Sequence, residues 1–230
     1  MLETVFLDAG GVLVYPNWTR ISRALAQRGV DIDAGALARA EPFAKKQIDD
    51  RTTISSTTDA GRGWLYFNLI LDRAGVPLTP EVEEALAELH AYHQTSNLWE
   101  LVPPVVAPSL AALRKRGLKL TVVSNANGKL KLLFNRLELA GCIDCLLDSH
   151  DEGVEKPDPR YFEIALERSG ARRETTIHVG DLYHVDVVGA RNAGLRGVLL
   201  DEAGLYPDVD CPRVNSLSEF VNLIERGVFD

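Results

Sequence analysis

Short apolar runs alternate with helical periodicity along most of the chain. Thr4-Val5-Phe6-Leu7 stops at Asp8, Leu118 to Val123 at Ser124, Cys145 to Leu147 near Asp148, Thr175 to Val179 at Gly180-Asp181, and Gly197 to Leu200 at Asp201. Short, nearly continuous Val/Ile/Leu runs predict parallel strands covered on both faces. Between them the spacing predicts helices over Pro108–Arg116 and Lys129–Ala140, closed by Gly117 and Gly141. A third starts at Asp158-Pro159, a cap followed by a proline at the first helical position, and stops at Gly170. A fourth runs from Asp181 or His184 to Ala193-Gly194. The order strand, helix, strand, helix predicts right-handed crossovers and an α/β, doubly wound, Rossmann-like parallel sheet.

One stretch breaks this alternation. More than a hundred residues separate the first two strands, far beyond what one crossover needs. It reads as helices at about Thr19–Arg28, Ala34–Asp49, Ala60–Ala74 and Pro80–Thr95, with Pro42 expected to break or kink the second. The expected division is an α/β core of residues 1–15 and 103–230 and a helical insert over 16–102, with Pro103-Pro104 closing the insert.

Composition narrows the function. The 230 residues are 46% hydrophobic and 25% charged, ordinary for a globular chain and unlike a disordered one. Lys and Arg number 25 against 33 Asp and Glu, a net charge of −8 with no basic block. That disfavours nucleic acid and anionic membrane surfaces as partners. No apolar run approaches the ~20 residues of a membrane span, and Met1 to Tyr15 lacks a basic leader. Three cysteines, Cys142, Cys145 and Cys211, fit a reducing compartment, so a cytoplasmic location is expected. Cys142 and Cys145 have C-x-x-C spacing without a second Cys or His pair, and are read as inert thiols rather than a metal or redox site.

The chemistry collects at strand ends. In an open parallel sheet, ligands bind beyond the carboxyl ends of the strands. Asp8, Ser124, Asp148 and Asp181 are delivered there, and the loop after the third strand leads to Lys156. Asp8 precedes Gly10-Gly11, glycines that let the backbone turn sharply beside a ligand. A carboxylate so placed can hold a hard cation or attack an electrophile. The Ser124 hydroxyl and the N–H groups that follow it, including that of Asn125, can hold anionic oxygens, or Ser124 can simply cap the next helix. Lys156 can neutralise phosphate charge or pair with Asp8; in isolation it would be a solvated loop lysine. Asp181 and Asp186 are costly near the sheet edge unless a cation or lysine lies between them.

In this order the residues identify a family. Phe6-Leu7-Asp8-Ala9-Gly10-Gly11-Val12-Leu13 resembles the first motif of the haloacid dehalogenase (HAD) superfamily, and Val122-Val123-Ser124-Asn125 resembles the second. Gly153 to Phe162, with Lys156-Pro157-Asp158-Pro159, is similar to the third, and Val179-Gly180-Asp181 to Asp186 to the acidic fourth. The helical insert resembles the cap that follows the first motif in this family. The resemblance implies an Mg²⁺-dependent phosphohydrolase of small phosphorylated molecules, with an aspartyl-phosphate intermediate on Asp8. It implies that Asp8, the Gly10 carbonyl, Asp181 and Asp186 hold Mg²⁺. Gly11, Ser124, Asn125 and Lys156 would bind the phosphoryl group, and a cap would govern substrate choice, with Trp18, Arg20, Arg51, Arg62, Trp64, Tyr66 and Tyr92 as its candidates.

The chain departs from the family's phosphatases at Gly10, where they carry a second aspartate that protonates the leaving group. Such general acid–base help is worth typically ~10²–10⁴-fold. Three readings follow: a phosphatase using good leaving groups or a donor elsewhere (Tyr15, Tyr183 or His184), a dehalogenase-like enzyme whose halide needs no acid, or a protein that binds a phosphorylated ligand without turnover. Dehalogenases replace the acidic fourth motif, and this chain keeps it.

Overall fold

The structure is a computed structural model that describes residues 1–229, apart from the side chains of Ser55, Ala60 and Trp64. The chain divides into two compact units, Met1–Tyr15 with Val102–Asp230, and Pro16–Leu101.

The first unit is the expected doubly wound α/β structure. Strand β1 (Thr4–Leu7) opens it. The second unit supplies helices α1 (Trp18–Ala26), α2 (Ala34–Ile48), α3 (Arg51–Ser56), α4 (Asp59–Arg73) and α5 (Pro80–Ser96). The chain then returns as α6 (Val106–Lys115), β2 (Lys119–Ser124), α7 (Leu130–Arg136), β3 (Cys145–Asp148), α8 (Ser149–Glu152), α9 (Pro159–Ser169) and β4 (Thr176–Gly180). A π-helical turn (Tyr183–Val188) leads into α10 (Gly189–Asn192), β5 (Arg196–Leu200), β6 (Arg213–Val214) and α11 (Leu217–Glu225).

All six strands are parallel, in the order β3-β2-β1-β4-β5-β6. β1 and β4 are buried along their whole length, which explains why they read as continuous apolar runs rather than alternating ones. One face of the sheet, built on Phe6, Val123 and Leu147, is covered by Tyr161, Phe162, Ala165 and Leu166 of α9 and Ala190 of α10. The register pairs Phe6 with Thr121 on one side and His178 on the other, so these three share a face.

Several local expectations are corrected. The helix expected to run to Ala140 ends at Arg136, and Glu138 turns the chain with a φ of 58°. Ser124 caps no helix; Lys129 is the cap residue of α7, and the Asp148 carboxylate accepts from Leu130 N at 3.2 Å and His150 N at 3.0 Å. Asp148 is therefore committed to the starts of two helices. The segment after Asp181 is not one regular helix but the π turn and α10. Pro42 is carried inside a continuous α2, whose Leu37, Ala40, Ala44 and Ile48 are buried with Ile70 and Leu71 of α4. Packing of that apolar face outweighs the hydrogen bond a proline cannot donate.

In the second unit Trp18, Tyr66 and the side chain of Arg62 are buried, the last donating to the Thr57 carbonyl at 2.9 Å. Tyr66 donates to the buried Glu41 at 2.6 Å. The side chain of Trp64 lies outside the described residues. Among the described residues no helix is long and apolar enough to cross a membrane.

Candidate active site

Asp8 directly follows β1, and its N–H donates to the Val179 carbonyl at 2.9 Å, which ties it to β4. The chain then turns tightly. Leu13 N and Val14 N both donate to the Ala9 carbonyl at 2.9 Å, and Gly11 N donates to the Val14 carbonyl at 2.9 Å. Gly11 takes a φ of 73°, in the left-handed region that a side chain disfavours, and Gly10 has no positive φ. The Gly11 carbonyl accepts from the Tyr15 hydroxyl at 2.8 Å, so both main-chain groups of Gly11 serve the turn. None of the hydrogen bonds that close the turn uses the Gly10 carbonyl.

The Asp8 carboxylate is bound through one oxygen. Oδ1 accepts from Ala9 N at 2.7 Å and lies 3.0 Å from Lys156 Nζ, leaving Oδ2 outside both contacts. Lys156 is only 1% exposed, so it is not the solvated loop lysine that its loop position suggests. Its backbone explains how it is held. Asn125, just past β2, accepts from Lys156 N at 2.8 Å and donates to the Lys156 carbonyl at 2.9 Å. Both ends of the Asn125 side-chain amide thus clamp the lysine's main chain, and the backbone N–H of Asn125 is used by none of the described backbone bonds. Ser124 is nearly buried, and its carbonyl accepts from the buried Tyr161 hydroxyl at 2.9 Å.

Asp186 completes the arrangement from the π turn. Its Oδ1 accepts from Lys156 Nζ at 2.7 Å and from His178 Nε2 at 2.9 Å, and its Oδ2 from Leu182 N at 3.0 Å. An ionised carboxylate only accepts, so the imidazole carries its proton on Nε2. Gly180 makes room for this: a Cβ there would overlap the Asp186 side chain. Asp181, also buried, brings a carboxylate oxygen to within 4.8 Å of ligand atoms of Asp8 and Asp186.

The electrostatics are unbalanced. Burial pushes the Asp8 carboxyl above its ordinary value, against the pull of Lys156 and a hydrogen bond from Ser124, with repulsion from Asp186 adding to the rise. Burial opposes ionisation of Asp186 too, but Lys156 and His178 outweigh it and hold this carboxyl well below its usual range. Lys156 is raised: burial disfavours its charge, and Asp186 and Asp8 more than restore it. Burial keeps His178 neutral by lowering its pKa despite Asp186. Lys156 is the one ammonium in contact with Asp8 and Asp186 among the described residues, and Asp181 brings a third carboxylate beside them, so the cluster is rich in negative charge. Hard oxygen donors with surplus negative charge fit a divalent cation such as Mg²⁺.

Of the donors considered in place of an acid at position 10, Tyr183 is committed elsewhere, its hydroxyl donating to Asp210 Oδ1 at 2.7 Å beside Arg191. The three cysteines are free and half-buried, and burial raises the Cys145 and Cys211 thiols. Two residues of the site escape the sequence reading, His178 and Gly180 in its packing role. The signal for the first was a lone ionisable residue inside an apolar parallel strand, Thr-Ile-His-Val-Gly.

Residues 2–194 match the haloacid dehalogenase-like hydrolase family. The chain is 30% identical to the haloacid dehalogenase-like hydrolase domain-containing protein 3 of Bos taurus, over 82% of this chain and 76% of that protein. It is 33% identical to a glyceraldehyde 3-phosphate phosphatase of Methanopyrus kandleri, over 67% of this chain and 66% of that one. Its fold is similar to that of a 2-haloacid dehalogenase from Pseudomonas syringae, with a TM-score of 0.61 at 24% identity, covering 99% and 100% of the two chains.

Proposed function

The chain belongs to the haloacid dehalogenase-like hydrolase family, and from that premise we propose that it is an Mg²⁺-dependent hydrolase of small organic phosphate monoesters that works through an aspartyl-phosphate on Asp8. The observation that carries this reading is the cluster of Asp8, Asp181 and Asp186. Displacement at carbon with halide leaving needs no such surplus of carboxylates. Attack by a carboxylate on a phosphate dianion does need a counter-charge. The 33% identical phosphatase supports the same choice; the dehalogenase likeness is one of fold.

Asp8, Asp181, Asp186 and the unused Gly10 carbonyl would hold Mg²⁺, which when bound offsets charge on the phosphoryl oxygens. The chain's own residues do the rest. Lys156 and Ala9 N fix Oδ1 of Asp8, so Oδ2 attacks phosphorus in line. The Asp8–phosphorus bond forms as the ester oxygen leaves. Lys156, the Ser124 hydroxyl and the free Asn125 N–H bind the transferring oxygens, while Gly11 keeps the turn in shape. Water then cleaves the acyl phosphate, returning Asp8 and inorganic phosphate. No carboxyl stands at Gly10 to protonate the leaving oxygen, so the enzyme favours leaving groups that depart as stable anions.

The test is hydrolysis of p-nitrophenyl phosphate with and without Mg²⁺. Turnover is expected only with the metal, and Asp8→Asn should remove it. Metal-independent halide release from a 2-haloacid, with no phosphatase activity, would overturn the reading. Gly10→Asp, at a position without a positive φ, is expected to raise turnover of an alkyl phosphate by about tenfold or more. An unchanged rate would place the proton donor elsewhere.

A further inference from the structure

His178 is the one ionisable side chain in β4, and it is completely buried. Its ring packs edge-on to Phe162, with centroids 5.0 Å apart. A buried imidazole has two nitrogens to match. Here Nδ1 has no partner, and Nε2 makes a single contact, 2.9 Å to Asp186 Oδ1. An apolar side chain of similar size would carry no orphaned nitrogen. What the imidazole adds at this position is therefore one hydrogen bond to one carboxylate oxygen.

That oxygen is the one that accepts from Lys156 Nζ at 2.7 Å, and Lys156 Nζ in turn lies 3.0 Å from Asp8 Oδ1. The contacts run unbroken from the sheet interior to Asp8. The backbone is shaped to permit them: Asp186 fills the space that a side chain at Gly180 would take, two residues beyond His178 on the same face of β4. Lys156 sits between two carboxylates. Were Asp186 free to rotate, the ammonium could collapse onto Asp8 and the Asp186 oxygens would lose their placement relative to Asp181.

We infer that His178 is a positioning residue: its Nε2–H fixes Asp186 Oδ1 toward Lys156, and so holds both the lysine and the three-carboxylate cation site in their working arrangement. The kinetic side of this inference rests on the phosphohydrolase reading; the metal-binding side does not.

The experiment compares the parent with His178→Phe and His178→Gln. Gln carries an amide N–H that can occupy the place of Nε2; Phe fills the space without a donor. Mn²⁺ affinity is read directly by electron paramagnetic resonance titration, and kcat and KM for p-nitrophenyl phosphate are read separately. Loss of a hydrogen bond to a metal-holding carboxylate typically weakens metal affinity or activity by about 10–100-fold, and that is the loss expected for His178→Phe. It should fall on kcat and Mn²⁺ affinity, with KM little changed. His178→Gln should recover at least half of the loss on a logarithmic scale. Parent-like Mn²⁺ binding in His178→Phe overturns the inference. So does a His178→Gln protein that melts with the parent yet binds Mn²⁺ no better than His178→Phe. Should His178→Phe fail to fold, His178→Gln decides alone: near-parent Mn²⁺ affinity supports the role, and weakened affinity in a folded protein overturns it. A parent that binds Mn²⁺ but hydrolyses no phosphate ester would sink the phosphohydrolase reading and leave the His178 inference to the titration.

Discussion

Glu100 in the helical unit and Asp8 in the α/β unit are both carboxylates largely withdrawn from water, and their surroundings treat them oppositely. Glu100 Oε1 accepts from Asn17 Nδ2 at 2.9 Å and Arg20 Nε at 3.0 Å, and its Oε2 from Tyr92 OH at 2.8 Å. The Arg20 guanidinium also stacks 3.8 Å over the Tyr92 ring. Burial would raise the Glu100 carboxyl, but these three donors and the charge of Arg20 hold it below its usual value. One anion meets one cation, and the group is closed. Around Asp8 one ammonium is shared by two carboxylates with a third, Asp181, beside them, and burial wins: Asp8 is pushed up, not down. A cluster built for stability settles its charges internally. One that leaves a surplus has a use for a charge from outside.

The contrast is broken most forcefully at Lys156. Lys156→Met removes the only cation in contact with Asp8 and Asp186 among the described residues. Stripping one partner from a buried ion pair typically costs about 3–5 kcal/mol, readable as a lowered urea midpoint near neutral pH. Mg²⁺ should return more stability to the variant than it adds to the parent, because it then supplies the only counter-charge. A variant as stable as the parent, with or without Mg²⁺, would show that the cluster is not short of positive charge.

How much of this was legible beforehand depended on range. The strands β1 to β5 were visible because each is an apolar run ending in a polar residue. Asp8, Ser124, Lys156, Asp181 and Asp186 were visible because motif spacing is local. The burial of Lys156 was not, since a Lys before a proline in a loop looks the same whether solvated or bound; only the Asn125 clamp on its backbone decides it. The π turn was hidden because its register follows from Asp186 folding back onto Gly180, a tertiary contact. β6 is two residues long and carries no periodicity. Helix α11 was readable in principle and missed: Ser216 accepts from Glu219 N at 3.2 Å, and Glu219 reaches back to Asn215 N at 2.7 Å, close to a capping box.

A smaller effect sharpens the comparison from the other side. His93 in α5 accepts from Leu98 N through Nδ1 at 3.1 Å and packs edge-on to Trp99, with centroids 5.4 Å apart. Burial, with a smaller push from His90, lowers its pKa from 6.5 to about 4. A histidine held neutral in the folded state contributes stability above its unfolded pKa, and this is lost as pH falls. The window here is pH 6.5 down to about 4. Discounted for partial exposure, the loss is on the order of 2 kcal/mol. His93→Gln, which keeps an acceptor without a titrating ring, should flatten that part of the stability–pH curve. An unchanged acid limb would mean that other groups, not this histidine, set the acid sensitivity.

The smallest effect is expected where the carboxylate is best satisfied. In Glu100→Gln the amide oxygen can take the place of Oε1 and keep its bonds from Asn17 and Arg20. The amide NH₂ then faces the Tyr92 oxygen, and a hydroxyl can rotate to accept instead of donate. Every polar group keeps a partner, and what disappears is the charge attraction to Arg20, whose side chain is 41% exposed. Pairs of that exposure contribute about 0.2–1 kcal/mol, so the urea midpoint should move little and Mg²⁺ binding not at all. Asp186 has no such freedom. Its Oδ2 accepts from the backbone N–H of Leu182, which cannot turn round to accept, while Oδ1 is held by Lys156 and His178. An amide would have to set a donor against a donor on one side or the other. If Glu100→Gln nonetheless costs as much as Lys156→Met, the closed cluster is doing more than neutralising itself, and the distinction drawn between the two carboxylates fails.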